Sequence, residues 1–336
     1  MKEKNHKGLP WFGIPKLIPY LRGYGRLFLS MVLFGLLASG MDVVIPLFQQ
    51  YAINHFIADS TMQGIWPFVA LYLLVMAVQT ASNYISAYGA CKAELYIGRD
   101  LRREAFDHVQ TLSFSYFNQN SVGYIHARVI SDTDRIAGTL AWGIMEGVWE
   151  IAYLLFAIVM MFALNWKLAL CVMVIVPILV VSSIFFQKKL VFYHRKVREH
   201  NSQITSAFNE GITGAKTTKT LVIEDKVEKE FDQLTGEMKR VSVRAMHFRS
   251  VFMSTTAFAA SIALAIVLWR GGIITREGVM LVGTLSVFMN YAQGMMEPIQ
   301  WLVQVLSSLV NVQVNVERFT KLMETESDVR DTPEVT

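Results

Sequence analysis

The stretch that decides the fold is LVGTLSVFMNYAQGMMEPIQWLVQVLSSLVNVQVNVERF, which runs from Leu281 to Phe319. Its apolar run Leu281–Leu309 is long enough to cross a bilayer, since about 20 apolar residues suffice. At about 100° per residue, eight polar side chains fall within an arc of roughly 80° on one helix face. They are Asn290, Gln293, Glu297, Gln300, Gln304, Asn311, Asn315 and Arg318. Because polar groups are costly against hydrocarbon, this helix is expected to line a wet cavity.

The composition of the whole chain also points to a membrane. Of its 336 residues 53% are hydrophobic and only 17% are charged, whereas soluble domains average about 25% charged residues. The two cysteines, Cys91 and Cys171, lie in or near apolar segments. They are interpreted as small buried side chains rather than as a disulfide framework. The seven histidines offer no pair with metal-ligand spacing, so no metal site is expected.

Six apolar segments have spanning length, and the charges between them predict their orientation. The segments are about 27–55, 66–90, 140–164, 167–187, 248–270 and 280–304. The short links on one side contain only Lys167, Arg270 and Arg276, and the other 28 of the 31 basic residues lie on the opposite side. The positive-inside rule then places both termini and both long connections in the cytoplasm. A multi-pass protein of the cell membrane, in a bacterium the plasma membrane, is expected.

Residues 1–26 are expected to form a basic, interfacial segment. Aromatic and apolar residues interleave there with basic ones, a pattern typical of a short helix that lies on the membrane surface. These residues are Trp11, Phe12, Ile14, Leu17, Ile18 and Tyr20 with Lys16 and Arg22. Three prolines at positions 10, 15 and 19 break any signal-peptide core, so no cleavable signal is expected.

The two long connections read as helical hairpins rather than as disordered loops. From Lys92 to Leu112 the helical pattern of the second segment continues, with apolar residues set among charges. Those apolar residues are Leu95, Leu101, Phe106, Val109 and Leu112. A helix over 66–112 would be about 70 Å long, against about 30 Å for the bilayer core. Similar patterns cover 187–203 and 215–249, and turns are predicted at 114–123 and 205–214.

Three runs of sequence resemble known membrane domains. LRREAFDHVQTLSFSYF at 101–117, followed by Gly123 and RVISDTD at 128–134, is similar to the first intracellular loop of ABC exporter transmembrane domains. EGITGAKTTKTL at 210–221 resembles the second loop, and the end of the chain resembles the sixth helix. The resemblance covers roughly residues 15–325. It implies an all-α membrane protein with an N-terminal segment 1–26, a six-helix domain 27–324 and a linker 325–336.

The family resemblance also implies partners. It implies a homodimer or heterodimer of six-helix halves, surrounded by lipid, with the hairpin tips seated on ATP-binding domains. The tip residues assigned to this coupling are Tyr116, Phe117, Gly123, Phe208, Glu210 and Gly211. The alternative is that the tip aromatics only pack the tips. No nucleic-acid partner is expected.

The chain itself is not expected to be an enzyme. GITGAKT at 211–217 is not a phosphate loop, because the glycine spacing is wrong and Ala215 precedes the lysine. No other stretch offers a nucleotide-binding motif, so no cofactor is expected in this chain; ATP and Mg²⁺ would bind to the ATPase domain. Members of the family usually carry that domain on the same polypeptide, which favours a truncated chain over a separate subunit.

Polar residues on the spanning segments are candidates for a substrate cavity. The candidates are Asp42, Gln49, Gln79, Asn83, Glu146 and Glu150, with Asn290, Gln293, Glu297, Gln300 and Gln304 from the last helix. The glutamates would favour cationic amphiphiles; alternatively they lie at the cytoplasmic helix end, solvated or paired with arginines. Gly143 and Gly147 form a GxxxG pattern, which is weak support for close helix packing.

The expected function is ATP-driven export of amphipathic substrates (drugs, lipids or peptides) by alternating access. Lipid flipping and peptide export share the same fold and cannot be separated from drug export by cavity polarity. A regulatory or receptor subunit that uses the bundle as a scaffold is an alternative. A proton-coupled secondary transporter, with Glu146, Glu150 or Asp42 as its proton site, is another, but it leaves the long cytosolic hairpins unexplained.

Overall fold

A computed structural model describes residues 14–328, and within that range every regular element is helical. The helices are α1 (Ile14–Arg22), α2 (Gly25–Tyr51), α3 (Ile65–Gln110), α4 (Phe114–Gln119), α5 (Val122–His126), α6 (Thr133–Leu164), α7 (Trp166–Met173), α8 (Ile175–Thr213), α9 (Ala215–Leu221), α10 (Glu224–Arg276), α11 (Val282–Gly294) and α12 (Met296–Met323). Two π-helical turns, Ala52–Ile57 and Ala127–Asp132, extend α2 and precede α6. The predicted all-α membrane class is confirmed.

The chain divides into two compact units. The first contains the described residues up to Ala169 and from Gly271 onward, and the second is Leu170–Arg270. The first unit therefore holds α1 to α6, α11 and α12, whereas the second holds α8, α9 and most of α10. The substrate-cavity candidates all lie in the first unit.

Five helical stretches among the described residues are long and apolar enough to cross a membrane. They are Gly25–Ile57, Ile65–Gln110, Val122–Leu164, Trp166–Thr213 and Glu224–Arg276. The prediction of one continuous sixth helix over 280–304 is wrong, because the segment breaks at Met295 between α11 and α12. Pro298 lacks the N–H that would bond the carbonyl of Gly294, which accounts for the break at this place.

Helix α3 has the predicted length. It spans 46 residues without interruption, or about 70 Å at 1.5 Å per residue. Its buried residues in the second half recur every three or four positions and so share one face: Ala90, Ala93, Ile97, Leu101, Ala105 and Val109. Of the apolar residues set among charges in this stretch, Leu95 and Phe106 are exposed. The small side chains on the buried face let neighbouring helices approach closely.

The buried face of α3 contacts helices from both ends of the chain. Its core cluster includes Ile136 and Ala137 of α6, Val316 and Phe319 of α12, and Leu17 of α1. Helix α1 is thus held on the protein by its apolar side, whereas the sequence predicted only a helix at the membrane surface. Residues 1–13 with Trp11 and Phe12, and the side chain of Asn311, lie outside what the structure describes.

Tyr20 fixes α1 further. Its ring meets Phe319 edge-on, with 6.3 Å between the centroids. Burial, together with the neighbouring carboxylate of Glu104, raises the pKa of the Tyr20 hydroxyl above its usual range. The N-terminal helix and the end of α12 are therefore packed together.

In the second unit, α8 and α10 form a hairpin joined by aromatic contacts. Tyr193 stacks on Phe248 at 4.9 Å, and Phe186 lies 5.5 Å from Phe252. The predicted turn at 205–214 is wrong, because α8 continues through Thr213. One glycine in that stretch, Gly211, costs a helix only about 1 kcal/mol, which is too little to end it. The chain reverses later, after α9, where Val222 adopts a left-handed conformation with φ of 52°.

Candidate functional site

Polar side chains join the spanning helices of the first unit. Ser86 of α3 donates to the carbonyl oxygen of Met31 at 3.0 Å, and Tyr291 of α11 donates to that of Val43 at 2.6 Å. Both hydroxyl-bearing residues are buried. Such bonds between membrane helices are each worth about 0.6 kcal/mol on average. They position α2 against α3 and α11, and so fix the walls around the candidate residues.

The structure brings the cavity candidates Asp42 and Gln79 together, and their side chains bond one helix to another. Gln79 Nε2 donates to Asp42 Oδ1 at 2.9 Å, and Trp149 Nε1 donates to Asp42 Oδ2 at 2.9 Å. Asp42 therefore has both oxygens occupied by side chains of α3 and α6. Neither Asp42 nor Gln79 lines the cavity between α6 and α12 that is described below. Their role towards a substrate stays a prediction.

Gln49 and Asn290 form a second pair from the candidate set. Asn290 Nδ2 donates to Gln49 Oε1 at 3.0 Å, and both residues are exposed. Close by, Gln50 Nε2 donates to Thr284 Oγ1 at 2.8 Å, and the backbone N–H of Gly283 donates to Asn54 Oδ1 at 2.8 Å. These bonds attach α11 to the end of α2.

A cavity of about 370 Å³ lies between α6 and α12. Five of the candidate residues line it: Glu146, Glu150, Glu297, Gln300 and Gln304. Its other lining residues are Thr139, Trp142, Gly143, Trp301, Val305 and Ser308. The polar stripe of the last helix thus faces a cavity in its Glu297–Gln304 part. Lower on α12 the stripe is interrupted, because Asn315 is buried while Arg318 is exposed.

The three carboxyl groups of the cavity have different surroundings. Glu150 is only 6% exposed, and its Oε2 has no hydrogen-bond partner. Glu146 Oε2 accepts from Trp301 Nε1 at 3.1 Å, and Glu297 is exposed. Within residues 14–328 no lysine or arginine pairs with any of the three. The alternative of arginine-paired glutamates therefore has no support among the described residues.

Two tryptophans of the cavity were missed from the sequence, although helical spacing could have found them. Trp142 precedes Glu146 by four residues on α6, and Trp301 follows Glu297 by four on α12, so each shares a face with a glutamate. Trp142 Nε1 donates to Glu94 of α3 at 2.8 Å. Because both indole N–H groups bond carboxylates, the two rings are held in place.

Glycines allow the close approach of these aromatic groups. A Cβ added at Gly147 would lie 3.0 Å from the Trp301 ring, and one added at Gly294 would collide with the Tyr153 hydroxyl. Gly143, the other half of the GxxxG pattern, has open space at its Cα. The pattern therefore reflects one close contact at Gly147 rather than two.

The remaining two cavity candidates, Asn83 and Gln293, are exposed and lie outside the lining. Asn83 is on α3 and Gln293 is near the end of α11. Their assignment to a substrate path is unchanged as a prediction.

The first hairpin tip presents apolar side chains to the surface. Phe114 of α4 is 81% exposed and Val122 of α5 is 85% exposed, and Phe117 and Gly123 are exposed between them. Tyr116 instead packs on the α3 core cluster, and burial raises the pKa of its hydroxyl. Of the candidate coupling residues in this tip, Phe117 and Gly123 face outward and Tyr116 supports them from below.

A buried ion pair fixes the base of this tip. Arg128 pairs with Asp132 across one turn, and their side chains are 13% and 4% exposed. The guanidinium also lies over the ring of Tyr124 at 4.5 Å. Ser121 caps α5 by accepting from the backbone N–H of Tyr124 at 3.2 Å. The tip is consequently held by charged and capping contacts rather than by an apolar core of its own.

The segment after α12 reaches the same tip. His108 Nε2 donates to the carbonyl oxygen of Thr325 at 3.0 Å, and Ser115 Oγ donates to Asp328 at 2.5 Å. The exit from the last helix therefore contacts α4.

The second tip belongs to the second unit. Phe208 and Glu210 are exposed at the end of α8, and Ile212 beside them is 62% exposed. Gly211 has open space at its Cα. Phe208, Glu210 and Ile212 thus place two apolar side chains and a carboxylate on the surface of the second unit.

Comparison with known proteins agrees with this architecture. The family model for the ABC transporter transmembrane region matches residues 27–299. An uncharacterized ABC transporter ATP-binding protein of Bacillus subtilis, YknV, is 24% identical over 97% of the chain and 54% of its own length. A putative multidrug export ATP-binding/permease protein of the same organism, YgaD, is 22% identical over 90% of the chain and 53% of its own length.

A third relative is a putative ABC transporter ATP-binding protein of Streptococcus pneumoniae, exp8, which is 24% identical over 94% of the chain and 54% of its own length. The chain spans about half the length of these curated relatives. The matched residues 27–299 run from α2 to the start of α12, and they include both hairpin tips and the cavity residues up to Glu297. The chain therefore belongs to the ABC transporter transmembrane region family.

Proposed function

We propose that the chain is the membrane-spanning half of an ATP-driven exporter for amphipathic substrates. The observation that carries this proposal is the cavity between α6 and α12, which combines carboxyl, amide and indole groups inside a membrane domain. Relatives bear multidrug export in their names, and a cavity of about 370 Å³ falls in the range of about 300–1,000 Å³ that is usual for drug-sized ligands.

The working unit is a dimer of two such halves, each served by an ATPase domain that binds ATP and Mg²⁺. Both termini and both hairpin tips face the cytoplasm, as the charge distribution predicts. Exposed apolar residues at a tip, such as Phe114, Phe117 and Phe208, are costly in water and are accounted for by a covering partner. The ATPase domains are that partner.

The proposed transport cycle depends on long helices that move as rigid bodies. ATP-driven closure of the ATPase domains moves the tips, and α3, which runs without interruption from the membrane to the first tip, transmits that movement. The domain then alternates between inward-open and outward-open states, a rigid-body rearrangement. Substrate enters from the cytosol or inner leaflet and leaves on the outside.

The test fuses the chain to the ATPase domain of its native protein and reconstitutes the fusion in liposomes. ATP hydrolysis stimulated by an amphiphile, together with ATP-dependent movement of that amphiphile, is the expected result. Liposomes with a non-hydrolysable ATP analogue are the control. Movement driven by a pH gradient without ATP would instead support a proton-coupled transporter.

A cross-linking measurement separates transport from a scaffold role. A cysteine in place of Phe117 should cross-link to the ATPase domain if the first tip is a coupling surface. An absence of cross-linking together with an absence of stimulated hydrolysis would favour the regulatory or receptor subunit.

A further inference from the structure

Basic and aromatic side chains form a band on the surface of the first unit, where α1, α2 and α3 meet. The band consists of Arg22, Arg26, Tyr84, Tyr88, Lys92 and Tyr96, all of them exposed or half-buried. The members on α3 recur every fourth position and therefore share one face of that helix. This face is both charged and aromatic, and it lies outside the core of the domain.

Contacts between α2 and α3 place the two arginines of the band at the level of its tyrosines. The ring of Tyr24, which stands between α1 and α2, lies 5.7 Å from the ring of Tyr96. A Cβ added at Gly89 of α3 would lie 3.8 Å from Leu27. The start of α2 thus runs beside this part of α3. Each arginine of the band is two residues from Tyr24 along the chain, so both lie close to the same depth.

The positive charge of the band has no carboxylate partner. Within the described part of the chain none of its cations, Arg22, Arg26 and Lys92, forms an ion pair. The Lys92 ammonium instead lies over the Tyr88 ring, 4.5 Å from the centroid, and Tyr88 stacks on Tyr84 at 6.0 Å. A cation–π contact of this kind holds the ammonium in place and leaves its charge uncompensated.

Two carboxylates of α3 near the band are already engaged elsewhere. Asp100 accepts from the hydroxyl of Tyr24 and pairs with Arg99 at 2.7 Å. Glu94 accepts from the indole N–H of Trp142 at 2.8 Å. Neither carboxylate pairs with a cation of the band, which can therefore take up an external anion.

The band lies at the boundary between apolar and charged surface. On one side of it α2 exposes Leu29 and Leu33, and on the other side α3 exposes the charged pair Arg103 and Asp107. Tyrosine is enriched at membrane–water interfaces because its ring is apolar and its hydroxyl is polar. The band is therefore at headgroup depth. With the orientation that the charge distribution predicts, this is the cytoplasmic side of the membrane.

We propose that the band binds the headgroups of anionic phospholipids in the cytoplasmic leaflet. The phosphodiester supplies the negative charge that the three cations lack, and the acyl chains lie along the exposed leucines of α2. Basic residues at the membrane surface attract anionic lipids in this way. The position of the band beside apolar surface favours a lipid over a soluble anion. This site goes beyond the export function and does not depend on it.

Two lipids with the same acyl chains and different net charges test the proposal. The full chain in detergent micelles is titrated with dioctanoyl phosphatidylglycerol and, separately, with dioctanoyl phosphatidylcholine, and native mass spectrometry measures the affinity for the first bound lipid. The anionic lipid is expected to bind about tenfold more tightly or better. Equal affinities would overturn the proposal. Displacement of the anionic lipid by an equal concentration of glycerol 3-phosphate would show a site for a soluble anion and would also overturn it.

Matched variants assign the binding to the band. Lys92→Gln should weaken binding of phosphatidylglycerol about fivefold, as should Arg26→Gln, whereas Lys92→Arg keeps the charge and should retain the affinity. The control is Arg103→Gln, which removes an exposed cation about 16 Å further along α3, beyond the screening length of about 8 Å. It should leave binding unchanged.

The variants also distinguish a defined site from diffuse attraction. The thermal transition of each variant, recorded without anionic lipid, confirms that it is folded. Equal losses of affinity in Lys92→Gln and Arg103→Gln would show general attraction to basic surface, and no loss in either would show that the lipid binds elsewhere. Either result would refute the assignment to the band.

Discussion

Trp149 donates its indole N–H to Oδ2 of Asp42 at 2.9 Å, while Gln79 donates to Oδ1 of the same carboxylate at 2.9 Å. One acidic side chain thus links three helices, α2, α3 and α6. Trp149 also stacks on Tyr153, with the ring centroids 5.7 Å apart, and Ser39 donates to the Trp149 carbonyl oxygen at 3.2 Å. The geometry makes Asp42 a structural acceptor in the membrane domain.

Removing this acceptor should destabilise the membrane domain. Asp42→Ala leaves the donors of Trp149 and Gln79 without a partner, and we expect a loss of about 1–3 kcal/mol in the free energy of unfolding. Thermal unfolding in nanodiscs measures the change. Asn83→Ala, an exposed polar residue on α3, is the control and should change stability by less than about 0.5 kcal/mol. Equal effects of the two substitutions would contradict the structural role.

The sequence was informative where a pattern is local and periodic. The polar stripe over Glu297, Gln300 and Gln304, the length of α3 and the four-residue spacing of Glu146 and Glu150 all follow from helical periodicity. Helical periodicity did not show which polar residues bond to each other. Asp42 and Trp149 are 107 positions apart, and nothing in a single sequence pairs them.

The errors have equally specific causes. The sequence pattern predicts a turn that includes Gly211, although one glycine does not end a long helix. The apolar run predicts a continuous last span, although Pro298 removes the hydrogen bond that would join Gly294 and Pro298 in one helix. The pattern of residues 1–26 predicts that α1 lies on the membrane surface. It does not show that Leu17 is buried, because the partners of Leu17, among them Phe319, are distant in sequence.

The Gly294–Tyr153 contact predicts a strict size limit in the break between α11 and α12. Gly294→Ala places a methyl group against the Tyr153 hydroxyl, and Tyr153 is only 8% exposed and so has little room to move. Overpacking of this kind costs about 1–3 kcal/mol. The matched control is Gly143→Ala, where the added methyl meets open space and stability should be unchanged or slightly higher. Thermal unfolding of the two variants measures the difference. A loss of stability in both variants, or in neither, would rule out the close contact.

The ion pair at the base of the first tip should matter more than a similar pair on the surface. Asp132→Asn leaves Arg128 buried without its charge partner, and breaking such a pair costs about 3–5 kcal/mol. Arg103 and Asp107 have the same one-turn spacing on α3 but are 82% and 66% exposed, so Asp107→Asn should cost less than about 1 kcal/mol. Limited proteolysis of the tip, with thermal unfolding, compares the two variants. Similar protease resistance in both would show that burial does not strengthen the Arg128 pair.

Substitutions in the first hairpin tip and in the cavity should have different effects if the tip couples to the ATPase domain and the cavity binds substrate. In the fused protein, Phe114→Asp introduces a charge on an apolar surface that is 81% exposed, so the chain should fold normally. Loss of an aromatic anchor at an interface costs about 2 kcal/mol or more, which predicts a fall of roughly thirtyfold in substrate-stimulated ATP hydrolysis. Binding of a transported amphiphile, measured without ATP, should be unchanged, because Phe114 does not line the cavity. Gln300→Ala should do the reverse: it should change the order of preference among amphiphiles while basal hydrolysis stays the same. If the tip variant and the cavity variant altered binding and hydrolysis together, the cavity and the tip could not have separate roles.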